Sequence, residues 1–580
     1  MHVFRVWAPL PKTVEVQVGA ERYPMRPEPD GWWSAEIAPA GSGDRYGIVL
    51  DGEGPFPDPR SPSQPDGVHH LSQLTDPGSH DWLDDHWQSP PLGTAIIYEL
   101  HLGTFTPEGT FLSAMARLDH LAALGVTHVE LMPVVEFSGR HGWGYDGVDL
   151  FAPHHAYGPP EDLKKLVDAC HQRGLGAILD VVYNHLGPSG NYLAKYAPYF
   201  SKRYAPAWGE ALNYDGAESD EVRRFFCDNA LRWLREFHFD GLRLDAVHAI
   251  YDFSAQPFLE QLELEVEQLS AQLGRPLYLI AESDLNDPRL LWPRERGGFA
   301  LEAQWSDDFH HALHTVLTGE NRGYYADFGT LEDLAVALRQ AFVYAGKFSA
   351  HRRRRHGRPA ANLSGHRFLG YLQNHDQIGN RAQGERSSQL LSLGRLKIGA
   401  ALVLTSPFVP LLFQGEEWGA STPFLYFTDF PEPELADSVR AGRCREFAAF
   451  GWNPDTIPNP QAPETFDRSK LIWSELMKPP HDQLLDWHHR LIHLRKTEPV
   501  LQDGRLEGVT THFDERTRWL VMERGGLTVA CNLADHPQEI PVRQGEQRFL
   551  LTSEPGVKVL DGSVNLPPET VAILKLVSAT

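Results

Sequence analysis

The sequence predicts a (β/α)8 barrel carrying inserted loops, with a small β-sandwich domain before it and a second after it. Three observations predict this. Over residues 95–495, short apolar runs alternate with amphipathic helical stretches, the pattern of parallel βαβ units. Both ends of the chain instead alternate apolar and polar residues over short runs, as antiparallel strands with one solvated face do. No GxGxxG or GxxxxGKS/T loop follows any apolar run, which removes the usual nucleotide-binding sheets. A central region of about 400 residues suits a closed barrel with insertions better than a doubly wound sheet.

Residues 1–85 are expected to form the first domain. Val14-Glu15-Val16-Gln17-Val18 alternates strictly, and Pro29-Asp30-Gly31 supplies a turn. The stretch 51–66 is rich in Pro, Gly, Asp and Ser and has no periodicity, so it reads as a long connection. The barrel is expected over 86–495. Its first strand is read at 95–99, followed by a helix over 111–124 and a second strand at 126–132. A third strand, 176–180, follows a helix that starts near Glu161. A long helix at 220–237 places Val222, Phe226, Ala230, Trp233 and Phe237 on one stripe and delivers the chain to a fourth strand at 241–245. Strands at 277–282, 368–373 and 408–413, with a weaker one at 303–305, complete the eight. Alternation returns in 496–580, as in Leu527-Thr-Val-Ala-Cys-Asn, and predicts the closing domain.

Composition narrows the function. The 580 residues carry 53 Lys and Arg against 77 Asp and Glu, a formal charge of -24, which repels nucleic acid and anionic membrane surfaces. A neutral partner fits better. Four scattered cysteines, Cys170, Cys227, Cys444 and Cys531, form no CxxC pair and no disulfide framework, so they read as reduced thiols. MHVFRVWAPL has neither the basic start nor the apolar run of a signal peptide, and no apolar stretch of about 18 residues occurs. A soluble cytoplasmic protein is expected.

Active sites of such barrels lie at the C-terminal ends of the strands, and here those ends are charged. The third run ends in Asp180-Val-Val-Tyr-Asn184-His185, the fourth in Arg243-Leu-Asp245, the fifth in Ala281-Glu282-Ser283 and the seventh in Gln373-Asn374-His375-Asp376. The eighth ends in Gln414-Gly-Glu416-Glu417. A single acid at a strand end is usually a cap or a solvated loop residue; convergence of several on one mouth argues for chemistry. Glycoside hydrolysis with retention needs a carboxylate that attacks the anomeric carbon and a carboxylic acid that protonates the leaving oxygen, about 5–5.5 Å apart. Neighbouring fourth and fifth strands supply such a pair. Arg243 shares a side with Asp245 and would hold it ionised as nucleophile. Glu282, beside the negative charges of Asp245 and Asp376, would stay protonated as general acid. Asp376 would stabilise the oxocarbenium-like transition state, with His185 and His375 donating to the same ring.

In order, DVVYNH (180–185), GLRLDAVH (241–248), AESD (281–284) and QNHDQ (373–377) resemble the four signature regions of the α-amylase superfamily of glycoside hydrolases. The resemblance implies retaining chemistry at α-linkages, with Asp245, Glu282 and Asp376 as nucleophile, acid/base and transition-state stabiliser. Tyr145, in HGWGYDGVD, matches the aromatic residue that stacks under the sugar beside the cleaved bond in that family. FRVWAP (4–9) is shared by branching, debranching and trehalose-releasing members. LNYDG (212–216), ESDLNDPRL (282–290), QWSDDFHHALH (304–314) and LLFQGEEWGASTPFLYFTDF (411–430) favour the trehalose-releasing group. That group cuts the α-1,4 bond next to a terminal trehalose unit, downstream of a synthase that converts the reducing end of a maltodextrin to trehalose. The alternative is a branching enzyme that transfers glucan to form α-1,6 branches. Recognition of the trehalose end needs polar groups on the leaving-group side, for which Asp307, Asp308 and Glu416 are candidates.

Trp143 and Trp305 lie next to strand ends and are candidate sugar-stacking residues. Asn184 aligns with a calcium-binding position of many α-amylases, but without a second cluster of oxygen ligands no metal and no cofactor are expected. The run His351-Arg-Arg-Arg-Arg-His-Gly-Arg358 reads as a solvated loop in so acidic a chain. His310, His311 and His314 have helical spacing without an HExxH signature and read as packing or capping residues.

Overall fold

In the computed structural model, residues 2–206, 209–448, 452 and 456–577 are described. Eight parallel strands close into a barrel: β1 (Ile97–Leu100), β2 (His128–Leu131), β3 (Gly176–Val181), β4 (Gly241–Leu244), β5 (Tyr278–Ala281), β6 (Ala303–Trp305), β7 (Phe368–Gly370) and β8 (Val409–Phe413). Each pairs with its successor, and β8 pairs with β1, so no strand edge is left exposed. This is the (β/α)8 barrel that the alternating pattern predicted, with the weakest strand, β6, also present.

The strands are apolar because both faces are covered. Ile97, Ile178, Ile280, Trp305, Tyr371 and Leu411 fill the interior, and the opposite faces pack on the surrounding helices. The longest helix, α1 (Ser219–Glu236), buries Val222, Phe226, Ala230 and Trp233 completely on its predicted stripe. Full burial of side chains such as Val222 and Phe226 stabilises the fold by about 1.5–3 kcal/mol each. Asp220 and Glu221 in its first turn complement the helix dipole. The chain then enters β4 with Arg243 already committed to the interior.

Two readings of the sequence need correction. The helix expected over 111–124 is two pieces, Phe111–Met115 and Leu118–Leu124. Ser113 and Thr110 cap each other, and the N–H groups of Ala116 and Arg117 bond three residues back, which tightens and ends the first piece. The connection expected at 51–66 contains a strand, Glu53–Phe56, paired with Arg45–Leu50. Asp51 and Gly52 both have positive φ, so the Asp-Gly pair makes the hairpin turn that its sequence encodes.

The first 80 residues form two antiparallel sheets, one built on His2–Trp7 and Trp32–Ile37, the other on Val14–Val18 and Arg45–Leu50. Past the barrel, a five-stranded sheet containing Trp519–Arg524, Leu527–Asn532 and Thr570–Leu576 faces a three-stranded one containing Ser563–Leu566, with Val521, Ala530, Ile540, Val564 and Leu574 between them. Among the described residues, no helix is long and apolar enough to cross a membrane.

Candidate active site

Arg243 organises the mouth of the barrel. Its fully buried guanidinium donates from Nη1 to both oxygens of Asp180 at 2.9 Å and to Asp245 Oδ1 at 2.8 Å, while Nη2 lies 3.1 Å from Glu282 Oε2. The indole of Trp305 lies 4.3 Å from it, a cation–π contact from below. Three acids from β3, β4 and β5 thus share one cation. The planar fork holds the Asp245 and Glu282 carboxyl oxygens within about 8 Å of each other, the two contacts plus the guanidinium width.

One cation among three acids gives them different proton affinities. Burial opposes ionisation of Asp245, but Arg243, His185 and the Asn184 amide outweigh it and hold the carboxyl below its ordinary range. Asn184 Nδ2 donates to Asp245 Oδ2 at 2.7 Å and to its main-chain oxygen at 2.8 Å. Burial, opposed by Arg243 but reinforced by the charges of Asp245, Asp376 and Asp307, raises Glu282 well above the usual carboxyl range. Asp180 is pushed up to about 7 by burial, against the pull of Arg243. Glu282 is also held by the backbone: Ala246, in the left-handed region at φ 38°, aims its N–H at Oε2 at 2.6 Å. Such a conformation is costly for a side-chain-bearing residue and persists where surrounding contacts fix it.

The opposite wall is tied to the same cluster. Tyr145 Oη donates to Asp180 Oδ2 at 2.6 Å and lies 2.7 Å from His375 Nε2, its ring stacked on the imidazole. His185 Nε2 meets the main-chain oxygen of Tyr145 at 3.0 Å. Asp376 lies 3.6 Å from His375 Nε2 and, with 36% of its side chain exposed, opens to the cleft. Asp307 begins the helix Asp307–Thr318, accepts from Tyr371 Oη at 2.6 Å and is raised to about 7 by burial. The structure therefore gathers Tyr145, His185, Arg243, Asp245, Glu282, Asp307, His375 and Asp376 around one cleft.

Four expected binding residues are buried and do not line the open cleft. Asp308 is 3% exposed and its Oδ2 accepts from Asn286 Nδ2 and from the N–H groups of Val343 and Tyr344. Successive helical residues point about 100° apart, so only Asp307 of the pair faces the mouth. Glu416 folds back after Gly415, which has φ 81°, and its buried carboxyl accepts from the Phe413 N–H at 3.2 Å. Trp143 is 4% exposed, donating to the Leu425 oxygen and packed on Phe424, and Trp305 is 1% exposed beneath Arg243. Neither indole offers a face to a sugar. We expect Asp308→Ala to cost about 1–3 kcal/mol of stability through orphaned donors and to leave KM unchanged; a KM rise without loss of stability would return it to the cleft. Arg243→Met should cost about 3–5 kcal/mol, because it leaves buried acids without a cation, and should appear as an earlier urea midpoint.

Sequence reasoning also missed contributors. Asp180 and Asn184 stood in the third strand-end motif but were given no place at the site. Arg352, within the run read as a solvated loop, donates to Asp284 Oδ2 at 2.9 Å beside the Glu282 segment. The cue for it was the acid at position 284 rather than the basic run. Among the described residues one group has metal-ligand character, Glu136 with His154 and His155. Its carboxylate is occupied by both imidazoles and by the His155 N–H.

Comparison with known proteins fixes the family. The alpha amylase catalytic domain model matches residues 64–208, and a domain of unknown function matches residues 504–573. A malto-oligosyltrehalose trehalohydrolase of Rhizobium sp. (strain M-11) is 49% identical over 581 residues, 99% of this chain and 97% of its own. That of Saccharolobus solfataricus is 44% identical over 90% of this chain and 89% of its own. The chain belongs to the malto-oligosyltrehalose trehalohydrolase family. A 1,4-alpha-glucan branching enzyme of Salinibacter ruber is far more distant, 27% identical over 87% of this chain and 78% of its own. Among solved structures, a pullulanase from Anoxybacillus sp. LM18-11, crystallised with maltotetraose, superposes with a TM-score of 0.73 at 18% identity, covering 99% of this chain and 86% of that one. At that identity the likeness speaks for the fold alone.

Proposed function

We propose that the protein cleaves the α-1,4-glucosidic bond next to the terminal trehalose unit of maltooligosyl trehalose, with retention, releasing trehalose and a maltooligosaccharide. One observation carries the chemistry: acids from adjacent strands share Arg243, which with Asn184 favours the carboxylate of Asp245, while burial and the neighbouring acids favour the acid form of Glu282. Asp245 attacks the anomeric carbon as Glu282 gives its proton to the glycosidic oxygen, so trehalose leaves as a neutral alcohol. Glu282, now a carboxylate, takes a proton from water, which attacks the same carbon and displaces Asp245. The maltooligosaccharide is released in the α configuration.

Asp376 stabilises the positive charge that builds on the ring, and Tyr145 supplies the stacking face beneath it. Polar groups beyond Glu282, namely Asp307 and the Asp284–Arg352 pair, face the trehalose hydroxyls. The names of the relatives support this substrate, and so does a chain whose charge of -24 suits a neutral glucan. A synthase that makes maltooligosyl trehalose would supply it. Four free thiols, three of them buried, support a reducing, cytoplasmic setting.

Product analysis on maltooligosyl trehalose, maltoheptaose and amylose tests the reading. Trehalose should appear from the first, at the highest kcat/KM of the three. New α-1,6 linkages in amylose without any trehalose would assign a branching transferase instead.

A further inference from the structure

We propose that Glu99, at the mouth end of β1, is a positioning residue that fixes the His375 ring and keeps it doubly protonated beneath the reacting sugar. The proposal rests on the hydrolase reading above. Glu99 and His375 are each 1% exposed, and the carboxylate grips His375 twice: Oε2 accepts its backbone N–H at 3.1 Å, and Oε1 contacts ring Nδ1. An ionised carboxylate only accepts, so Nδ1 carries a proton.

The other ring nitrogen is fixed by a chain of hydrogen bonds. Arg243, always a donor, takes both oxygens of Asp180 as acceptors. With Asp180 in its carboxylate form, Tyr145 spends its hydroxyl proton on Asp180 and accepts from His375 Nε2 at 2.7 Å. In that arrangement Nε2 carries a proton too, and the ring is an imidazolium.

The charges facing His375 agree with that parity. Burial and the Arg243 cation oppose its charge, while Glu99, Asp376 and Asp180 favour it, and His101, lowered to about 3 by burial, faces it uncharged; the balance raises the ring to about 9. Glu130 stands directly opposite Glu99 on β2 and is fully buried, with no hydrogen bond to its carboxyl oxygens among the described residues. Burial and the neighbouring Glu99 charge push it far up, and Glu99 is the member of this carboxyl pair that touches the imidazole. The charged ring then stands 3.6 Å from Asp376 at the edge of the cleft, while Glu99 offsets its charge against the developing oxocarbenium ion.

Because the folded ring titrates above its ordinary value, the charged form is complete at neutral pH and is lost as pH rises through about 9. Removing the charge of Glu99 should bring that loss to lower pH. Two readouts are needed: kcat/KM against pH for release of trehalose, and titration of the His375 imidazole by 15N NMR, assigned by its absence in His375→Gln. In Glu99→Gln we expect the ring to titrate at least one pH unit lower, the alkaline limb to follow, and kcat at pH 7 to fall 10-fold or more. Glu99→Asp, which keeps the charge, should leave the limb in place. Glu130→Gln, which alters the member of the pair that makes no hydrogen bond to the ring, should do the same. A Glu99→Gln ring that titrates with the parent's, or a uniform loss of rate with an unmoved limb, would overturn the proposal. A parent that releases no trehalose would fail the functional reading, and the NMR titration would still decide the role of Glu99.

Discussion

Asp245→Ala should lower turnover of maltooligosyl trehalose by on the order of 10⁴- to 10⁶-fold, the scale seen when the nucleophile of a covalent mechanism is removed. The fall should lie in kcat. Asp245 is held by Arg243 and Asn184 at the end of β4, and its attack is an interaction made only in the transition state. Substrate binding, spread over the rest of the cleft, should change little. A variant retaining more than about a tenth of parental kcat would remove Asp245 from the reaction.

Glu282→Gln should lower kcat by about 10²- to 10⁴-fold, the usual worth of a positioned general acid, and its loss should depend on the leaving group. Trehalose is a poor leaving group and needs the proton. Fluoride does not, so α-maltosyl fluoride should be consumed by the variant at close to the parental rate in the first step. The pH profile supplies a second check. The acid form of Glu282 is held up by burial and by three neighbouring acids, so parental activity should persist to pH values well above an ordinary carboxyl's range and then fall. In Glu282→Gln acting on the fluoride, the part of that fall due to Glu282 should be gone and the His375 limb near pH 9 should remain. Equal loss on trehalose and fluoride leaving groups would contradict the role.

The barrel was legible because a parallel sheet covered on both faces requires continuous apolar runs, and the eight runs are separated by helical periodicity. The inner site was legible for a related reason: polar residues that end such runs have few places to go except the mouth. Asp245, Glu282, Asp376 and Arg243 fall under that rule. Asp308 and Glu416 do not, because one helical step or one left-handed glycine redirects a side chain without any change in composition. Trp143 and Trp305 sit beside strand ends but turn into the packing, which sequence position alone does not reveal. Arg352 meets Asp284 across 68 residues, a pairing set by tertiary closure. Glu99 looked like one polar residue in an apolar strand; only its bidentate contact with His375 gives it a place.

The covalent intermediate is the most direct test of the account. Incubation with a 5-fluoro-α-glucosyl fluoride, which slows hydrolysis of a glycosyl-enzyme more than its formation, followed by peptide mass spectrometry, locates the nucleophile. One sugar should be found attached through an ester to Asp245, its hydrolysis giving the α-anomer first. A label on another carboxylate, or no label together with β-anomer as the first product, would contradict it.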